Sequence, residues 1–308
     1  MNNISASFYD PLDTNVDYPA YFRQTKNSKG KFLNVQYSLN NLSAEWQIIN
    51  TWVNNIDEII GKKIIYLQQE PPECKKPNSK LLDNVKCVIT PFKFKHIVKQ
   101  YISHAPLQWN YDLNINFIKN KGHNIQLANK IDLGRMLNKE KPLKYKICSF
   151  IVSAKSFLPG HKKRLNFLNK VVNHFKNKID YYGFGFNEIK NKKEAIDPYM
   201  FSIAIENTSL HNFWTEKIAD VYLGHTCPIY YGCKNISNFF EKDSLINIDI
   251  DNLDKTIHDI ESILDNPEKF LPSKEKINRE RLKILNQYNF FNIITGVINI
   301  ENNKKTLI

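Results

Sequence analysis

The sequence has no Cys-x-x-Cys pair, and its five cysteines, Cys74, Cys87, Cys148, Cys227 and Cys233, are odd in number. This argues against a disulfide framework and a thiolate zinc site, and fits a reducing cytosol. No run of about 18 apolar residues occurs, which argues against a transmembrane helix. The opening MNNISASFYDPLDTNVDYP is polar and lacks a basic segment ahead of an apolar run, so it does not read as a signal peptide. The sequons at Asn41, Asn207 and Asn235 then read as chance. There is no P-loop, and Gly183-Phe184-Gly185 is too short for a dinucleotide fingerprint and reads as a turn. His104, His161 and His211 lack metal-ligand spacing and read as loop or surface residues. The aromatic and basic interleaving of RNA-binding modules is missing, and so is any internal repeat.

What is present is a chain of 308 residues, enough for about two domains, with 42% hydrophobic and 24% charged residues, as in a globular protein with a sizeable core. Lys+Arg number 43 against 31 Asp+Glu, a formal charge of +12. Such a surface attracts polyanions, among them nucleotide diphosphates and anionic lipid, although a lysine-rich composition also occurs without a specific partner.

Along the chain, residues 1–29 read as irregular and Phe32 to Leu39 as a strand. Ser43 reads as a helix cap, with Trp46, Ile49, Val53, Ile56 and Ile60 recurring at helical spacing. Strands are expected at Lys63 to Leu67 and Val85 to Thr90, with the turn Gln68-Gln69-Glu70-Pro71-Pro72-Glu73 after the first. Residues 112–142 read as a polar connection. Beyond it come a strand from Lys146 to Ser153, a basic loop, a helix from about Lys162 to Phe175 with Leu165, Leu168, Val172 and Phe175 inward, and a short strand ahead of Asp180. The apolar run Phe201 to Ile205 suits a buried parallel strand. A helix over Glu216 to Gly224, strands at Cys227 to Tyr231 and Ser244 to Ile250, a helix over 254–264 and a basic, then apolar, tail over 273–308 complete the pattern. The alternation predicts an α/β architecture with doubly wound parallel sheets. The expected division is 1–125, 126–270 and a helical tail, 271–308.

In open parallel sheets ligands bind beyond the carboxyl ends of strands. That rule selects Glu206 and Asn207 after the apolar strand, and Thr215, Glu216 and Lys217 at the next helix start, where free N–H groups and a positive dipole end favour anions. Arg164 closes the basic stretch His161-Lys162-Lys163-Arg164 and can grip phosphate through two N–H groups. Glu216 is misplaced beside phosphate alone but suits sugar hydroxyls. Each of these residues taken singly also reads as an ordinary solvated charge.

Tyr199 to Ile236, YMFSIAIENTSLHNFWTEKIADVYLGHTCPIYYGCKNI, resembles the donor-binding region of the family-10 α-1,3/4-fucosyltransferases: apolar strand, E-N-S/T, T-E-K-I, helix, then P-I/V-Y-W/Y-G. The resemblance runs over roughly 145–255. It implies a GT-B fold of two Rossmann-like domains with a cleft between them, the first binding a glycan acceptor and the second GDP-fucose, with inverting, metal-independent transfer. Carried onto this sequence, Arg164 and Lys217 would hold the diphosphate, Glu216 the fucose hydroxyls, and Asn207 would line the donor pocket, with Glu206, Phe213 and Thr215 in the same site. Two positions depart from the family: Phe213 stands where Tyr is common, losing a hydroxyl, and Met200 where Lys is common. The turn YLQQEPPE resembles the family's E-S-P segment, making Glu70 the expected general base and Glu73 the second candidate, with Gln68 and Gln69 at earlier positions where some members carry Glu. Asp249-Ile250-Asp251 spells DxD, but within the fucosyltransferase-like pattern no metal or other cofactor is expected. A lipid-linked acceptor and peripheral contact with an anionic membrane from the cytoplasmic side extend the expectation; nucleic acid is not expected as a partner. The rivals are a GT-B enzyme for another nucleotide sugar and a non-catalytic carbohydrate- or nucleic-acid-binding protein.

Overall fold

The computed structural model describes residues 3–10, 18–118, 122–126 and 131–302. The chain divides into two units: residues 1–108, 116–138 and 285–308 form one, and 109–115 with 139–284 form the other. These divisions differ from those expected at 125 and 270. The last crossing falls at 285, so residues 271–308 are not a single tail.

In the first unit the chain runs through β1 (Ile4–Phe8), α1 (Tyr18–Phe22), β2 (Lys31–Phe32), β3 (Val35–Leu39), β4 (Trp46–Asn50), β5 (Lys63–Leu67), α2 (Ser79–Leu82), β6 (Cys87–Thr90) and β7 (Lys99–Ile102). The sheet order is β2-β3-β1-β4-β5-β6-β7, parallel except where β2 meets β3. The strand expected over Phe32 to Leu39 is therefore split, with Leu33 at φ +50° in the turn. The helix expected after Ser43 is instead β4, every residue of which is buried. Trp46 and Ile48 enter the core on one face and Ile49 on the other, a period of two. The i, i+3 spacing arose because a central strand buried on both faces shows no alternation of apolar and polar residues. Residues 112–142, expected as a plain connection, contain the paired strands β8 (Asn114–Ile118) and β9 (Gly122–Gln126) and the helix α3 (Leu133–Leu137).

The second unit contains β10 (Lys146–Ile151), α4 (Pro159–Phe175), β11 (Asp180–Tyr182), β12 (Tyr199–Ile205), α5 (Glu216–Leu223), β13 (Cys227–Tyr231), β14 (Ile246–Asn247), α6 (Leu253–Asp265), α7 (Pro267–Phe270) and α8 (Lys274–Leu285). Its sheet is parallel throughout, in the order β11-β10-β12-β13-β14. The short strand expected ahead of Asp180 begins at that residue. Of the strand expected over Ser244 to Ile250 only Ile246 and Asn247 pair, with Ile229 and Tyr230. Beyond α8 the chain rejoins the first unit as α9 (Phe290–Glu301), whose Phe290, Phe291, Ile294, Val297 and Ile298 fill one face of the first sheet.

Candidate functional site

The second sheet reverses its winding at β10. The chain passes from β10 to β11 on one side, then back to β12 on the other. Loops after two such strands diverge and leave a binding crevice at their carboxyl ends. Here those ends carry Ser153 and the pair Glu206-Asn207.

Arg164 joins the two. Its Nη1 donates to Asn207 Oδ1 at 2.6 Å and its Nη2 to Ser153 Oγ at 3.2 Å. The residue is only 5% exposed, and its Nε has no hydrogen-bond partner among the described residues. Burial works against its charge, yet a guanidinium stays protonated in proteins. An unpaired buried donor is costly, and an anion in the crevice would satisfy it.

Arg164 lies on α4, which begins at Pro159, three residues ahead of the helix start expected near Lys162. Pro159 opens the helix, no side chain caps it, and its first turn holds no acid, leaving the positive dipole end uncompensated. Gly160 permits this placement: a Cβ there would lie 1.6 Å from the Asn207 carbonyl oxygen. His161, expected at the surface, is buried on the same side as Arg164, and its Nδ1 lacks a hydrogen-bond partner among the described residues.

The start of α5 supplies the second part of the site. Thr215 caps it, accepting from the Lys217 amide at 3.4 Å. The Thr215 hydroxyl and amide lie 2.8 and 2.9 Å from the two Glu206 carboxylate oxygens. Lys217 Nζ stands 3.3 Å from Glu206 and 3.4 Å from Glu216. The Glu206 side chain is wholly buried, and burial raises its pKa against the pull of Lys217. Glu206 thus holds the α5 cap from beneath. Gly232 makes room for it, at φ +154° with its would-be Cβ 2.4 Å from Glu206 Cγ.

Glu216 differs. Its side chain keeps 17% exposure. Burial pushes its pKa up, but Lys217 and Lys192 overcome this and bring it to about 2. It is a fixed carboxylate suited to accept from hydroxyls. Lys217 loses from burial but gains more from the two glutamates, so its pKa rises. Phe213 is buried.

Arg164, Asn207, Glu206, Thr215, Glu216 and Lys217 are therefore tied together by two linked networks. Gly160, His161, Ser153 and Gly232 join them. A glycine inside a helix start and a histidine three residues ahead of Arg164 were the available signals. In the DxD segment, Asp251 pairs with Lys163, whose ammonium also lies 2.7 Å from the Tyr231 hydroxyl.

Glu70 belongs to the first unit. Gln68 follows β5, and its amide donates to the carbonyls of Glu70 at 2.6 Å and Lys75 at 2.9 Å, closing the loop. Gln69 is also fixed, its side chain donating to the Pro106 carbonyl at 2.6 Å. Both glutamines are buried, while Glu70 is partly exposed at the carboxyl end of the sheet and Glu73 exposed.

Two parallel-sheet units of this kind define the GT-B class of glycosyltransferase folds. The chain superposes on a crystal structure of an α1,3-fucosyltransferase with a TM-score of 0.56 at 17% identity, covering 92% of this chain and 90% of that one. The same figures for a structure of an α1,3-fucosyltransferase with GDP-fucose are 0.53, 17%, 92% and 90%. An α-glucosyltransferase in complex with UDP and DNA gives a TM-score of 0.54 at 10% identity over 96% of this chain and 100% of that one. Residues 141–275 match the family model described as glycosyltransferase family 10 (fucosyltransferase) C-term. A 74-residue stretch is 40% identical to the α-(1,3)-fucosyltransferase FucT of Helicobacter pylori, covering 24% of this chain and 15% of that relative. Among the described residues no helix is long and apolar enough to cross a membrane.

Proposed function

We propose that the protein transfers fucose from GDP-fucose to a glycan hydroxyl with inversion at the anomeric carbon. The observation that carries this reading is the reversal-point crevice, where Arg164 presents an unpaired buried N–H beside the open start of α4. Arg164 and Lys217 bind the diphosphate, Asn207 orients Arg164, and Glu216 accepts from fucose hydroxyls. The acceptor oxygen attacks the anomeric carbon, the bond to the β-phosphate oxygen breaks, and the charge on the leaving GDP is stabilised by the two cations and the helix end. Those cations take the part a metal ion plays elsewhere, so transfer proceeds without one. Glu70 accepts the acceptor's proton. Direct displacement needs no second, nucleophilic carboxylate. A lipid-linked glycan at the cytoplasmic face of a membrane is an acceptor consistent with the basic charge.

A different nucleotide sugar is the second reading, because Phe213 lacks the hydroxyl of the usual Tyr. Calorimetry across GDP-, UDP-, ADP- and CMP-sugars with and without EDTA separates the two. GDP-fucose should bind equally well in EDTA, and selective binding of a UDP- or CMP-sugar instead would refute the donor assignment. Glu70→Gln should bind GDP-fucose normally yet lose about 10²–10⁴-fold in transfer rate; full turnover in that variant places the base elsewhere.

A further inference from the structure

The carboxyl end of the first sheet has a feature outside the residues assigned so far. The chain has four tryptophans. Trp46, Trp109 and Trp214 are 0%, 3% and 2% exposed, whereas Trp52 is 40% exposed. Trp52 stands two residues beyond β4, at the carboxyl end of the first sheet.

Its position relative to the Glu70 loop is fixed by short ties. The hydroxyl of Thr51, the residue before Trp52, donates to the Leu67 carbonyl at 2.9 Å and accepts from the Gln69 amide at 2.7 Å. Gln69 immediately precedes Glu70. A second tie runs through Lys75, whose carbonyl is held by Gln68 and whose ammonium sits 5.9 Å from the Trp52 ring centre and 3.1 Å from Asn54 Oδ1. Asn54 in turn donates to the Trp52 carbonyl at 3.1 Å. The indole, an amide, an ammonium and the candidate base therefore share one end of two adjacent strands.

That grouping matches the chemistry of a pyranose ring. The C–H face of a sugar is apolar and slightly positive and packs on the electron-rich face of an indole. Its hydroxyls need hydrogen-bonding groups at the rim, which Asn54 and Lys75 provide. The indole is 40% exposed, with the Lys75 ammonium on its ring. We propose that Trp52, with Asn54 and Lys75, is the platform on which a pyranose ring of the acceptor glycan stacks beside Glu70. The proposal rests on the acceptor-binding role given above to the first unit.

Because the other tryptophans are buried, acrylamide quenching of intrinsic fluorescence reports chiefly on Trp52. Lactose, N-acetyllactosamine and chitobiose are the probes. The expected result is that at least one of them protects the wild type from quenching and does not protect Trp52→Ala. With that disaccharide as acceptor, Trp52→Ala should raise KM about tenfold or more, leaving kcat and calorimetric GDP-fucose affinity unchanged. Trp52→Phe, which keeps an aromatic face, should recover most of the loss. Absence of protection by all three sugars, or an unchanged acceptor KM in Trp52→Ala, overturns the proposal. Failure of GDP-fucose to bind would sink the donor reading instead, while the quenching result still decides the role of Trp52.

Discussion

Three cations act on His161 electrostatically: Arg164 from its own helix, Lys155 from the loop after β10, and Lys217 from α5. Phe157 packs edge-on against the imidazole, with ring centres 5.3 Å apart. Burial, then the three cations, holds the His161 pKa below its ordinary value, so the free protein carries it neutral at neutral pH. A bound diphosphate would offset the cations and raise that pKa. The sign follows from linkage: between the free and bound pKa values, binding takes up a proton, so affinity strengthens as pH falls through that window and is flat above it. GDP-fucose is the ligand to use, since its diphosphate has no titration near neutrality. Each unit by which binding raises the pKa corresponds to about 1.4 kcal/mol, or tenfold in affinity at the acid end of the window. Calorimetry over about pH 5 to 8, in buffers of different ionisation enthalpy, should show proton uptake by the wild type and almost none by His161→Gln. The same uptake in both would assign the effect to another group.

The placement of α4 illustrates how the site depends on whole elements. Its buried residues are His161, Arg164, Phe167, Leu168, Val171 and Phe175. Leu168 and Phe175 were expected inward, but the actual stripe runs through Phe167 and Val171 instead of Leu165 and Val172. A histidine and an arginine on a buried stripe break the apolar pattern that sequence reading relies on, so the rotation was hidden by the residues of functional interest. β12, α5 and β13 were legible because a continuous apolar run, a Thr cap and a Pro-Ile-Tyr-Tyr-Gly ending each carry a local signal. β4 shows helical spacing of its apolar residues because it is buried on both faces. The networks tying Arg164 to Asn207 and Glu206 to Thr215 needed the sheet order, which no local pattern encodes. Gly160 offers a test at this scale. Gly160→Ala drives a methyl group into the Asn207 carbonyl, and α4 must shift to relieve it. Overpacking of this kind costs about 1–3 kcal/mol. The variant should therefore melt earlier by differential scanning calorimetry and bind GDP-fucose more weakly, because Arg164 moves with the helix. Unchanged melting and affinity would show that α4 does not depend on that close approach.

At the scale of the whole molecule, residues 139–284 of the second unit are an insertion between the body of the first unit and its last helix. α8 precedes the return crossing and α9 follows it. α9 is bound to the first unit by more than apolar contact. Its cap Asn289 donates to the Gln24 carbonyl at 3.0 Å, Thr295 shares a 2.7 Å hydrogen bond with Tyr37, and Glu301 pairs with Lys99 at 2.7 Å. The apolar part dominates: five α9 side chains lie in the core of the first unit. At about 1.5–3 kcal/mol for each buried large side chain, their removal costs roughly 8–15 kcal/mol, comparable to the whole stability of a typical domain, about 5–15 kcal/mol. A chain ending at Leu285 should therefore lose the folded first unit while the second, which contains the residues proposed to bind the donor, stays intact. The expected record is one cooperative melting transition in place of two, rapid proteolysis confined to residues 1–108 and 116–138, and retained binding of GDP-fucose. Protease resistance of residues 1–108 in the truncated chain would show that the sheet holds its core without α9. Loss of GDP-fucose binding by a still-folded second unit would show that the proposed donor site needs more than residues 109–115 and 139–284.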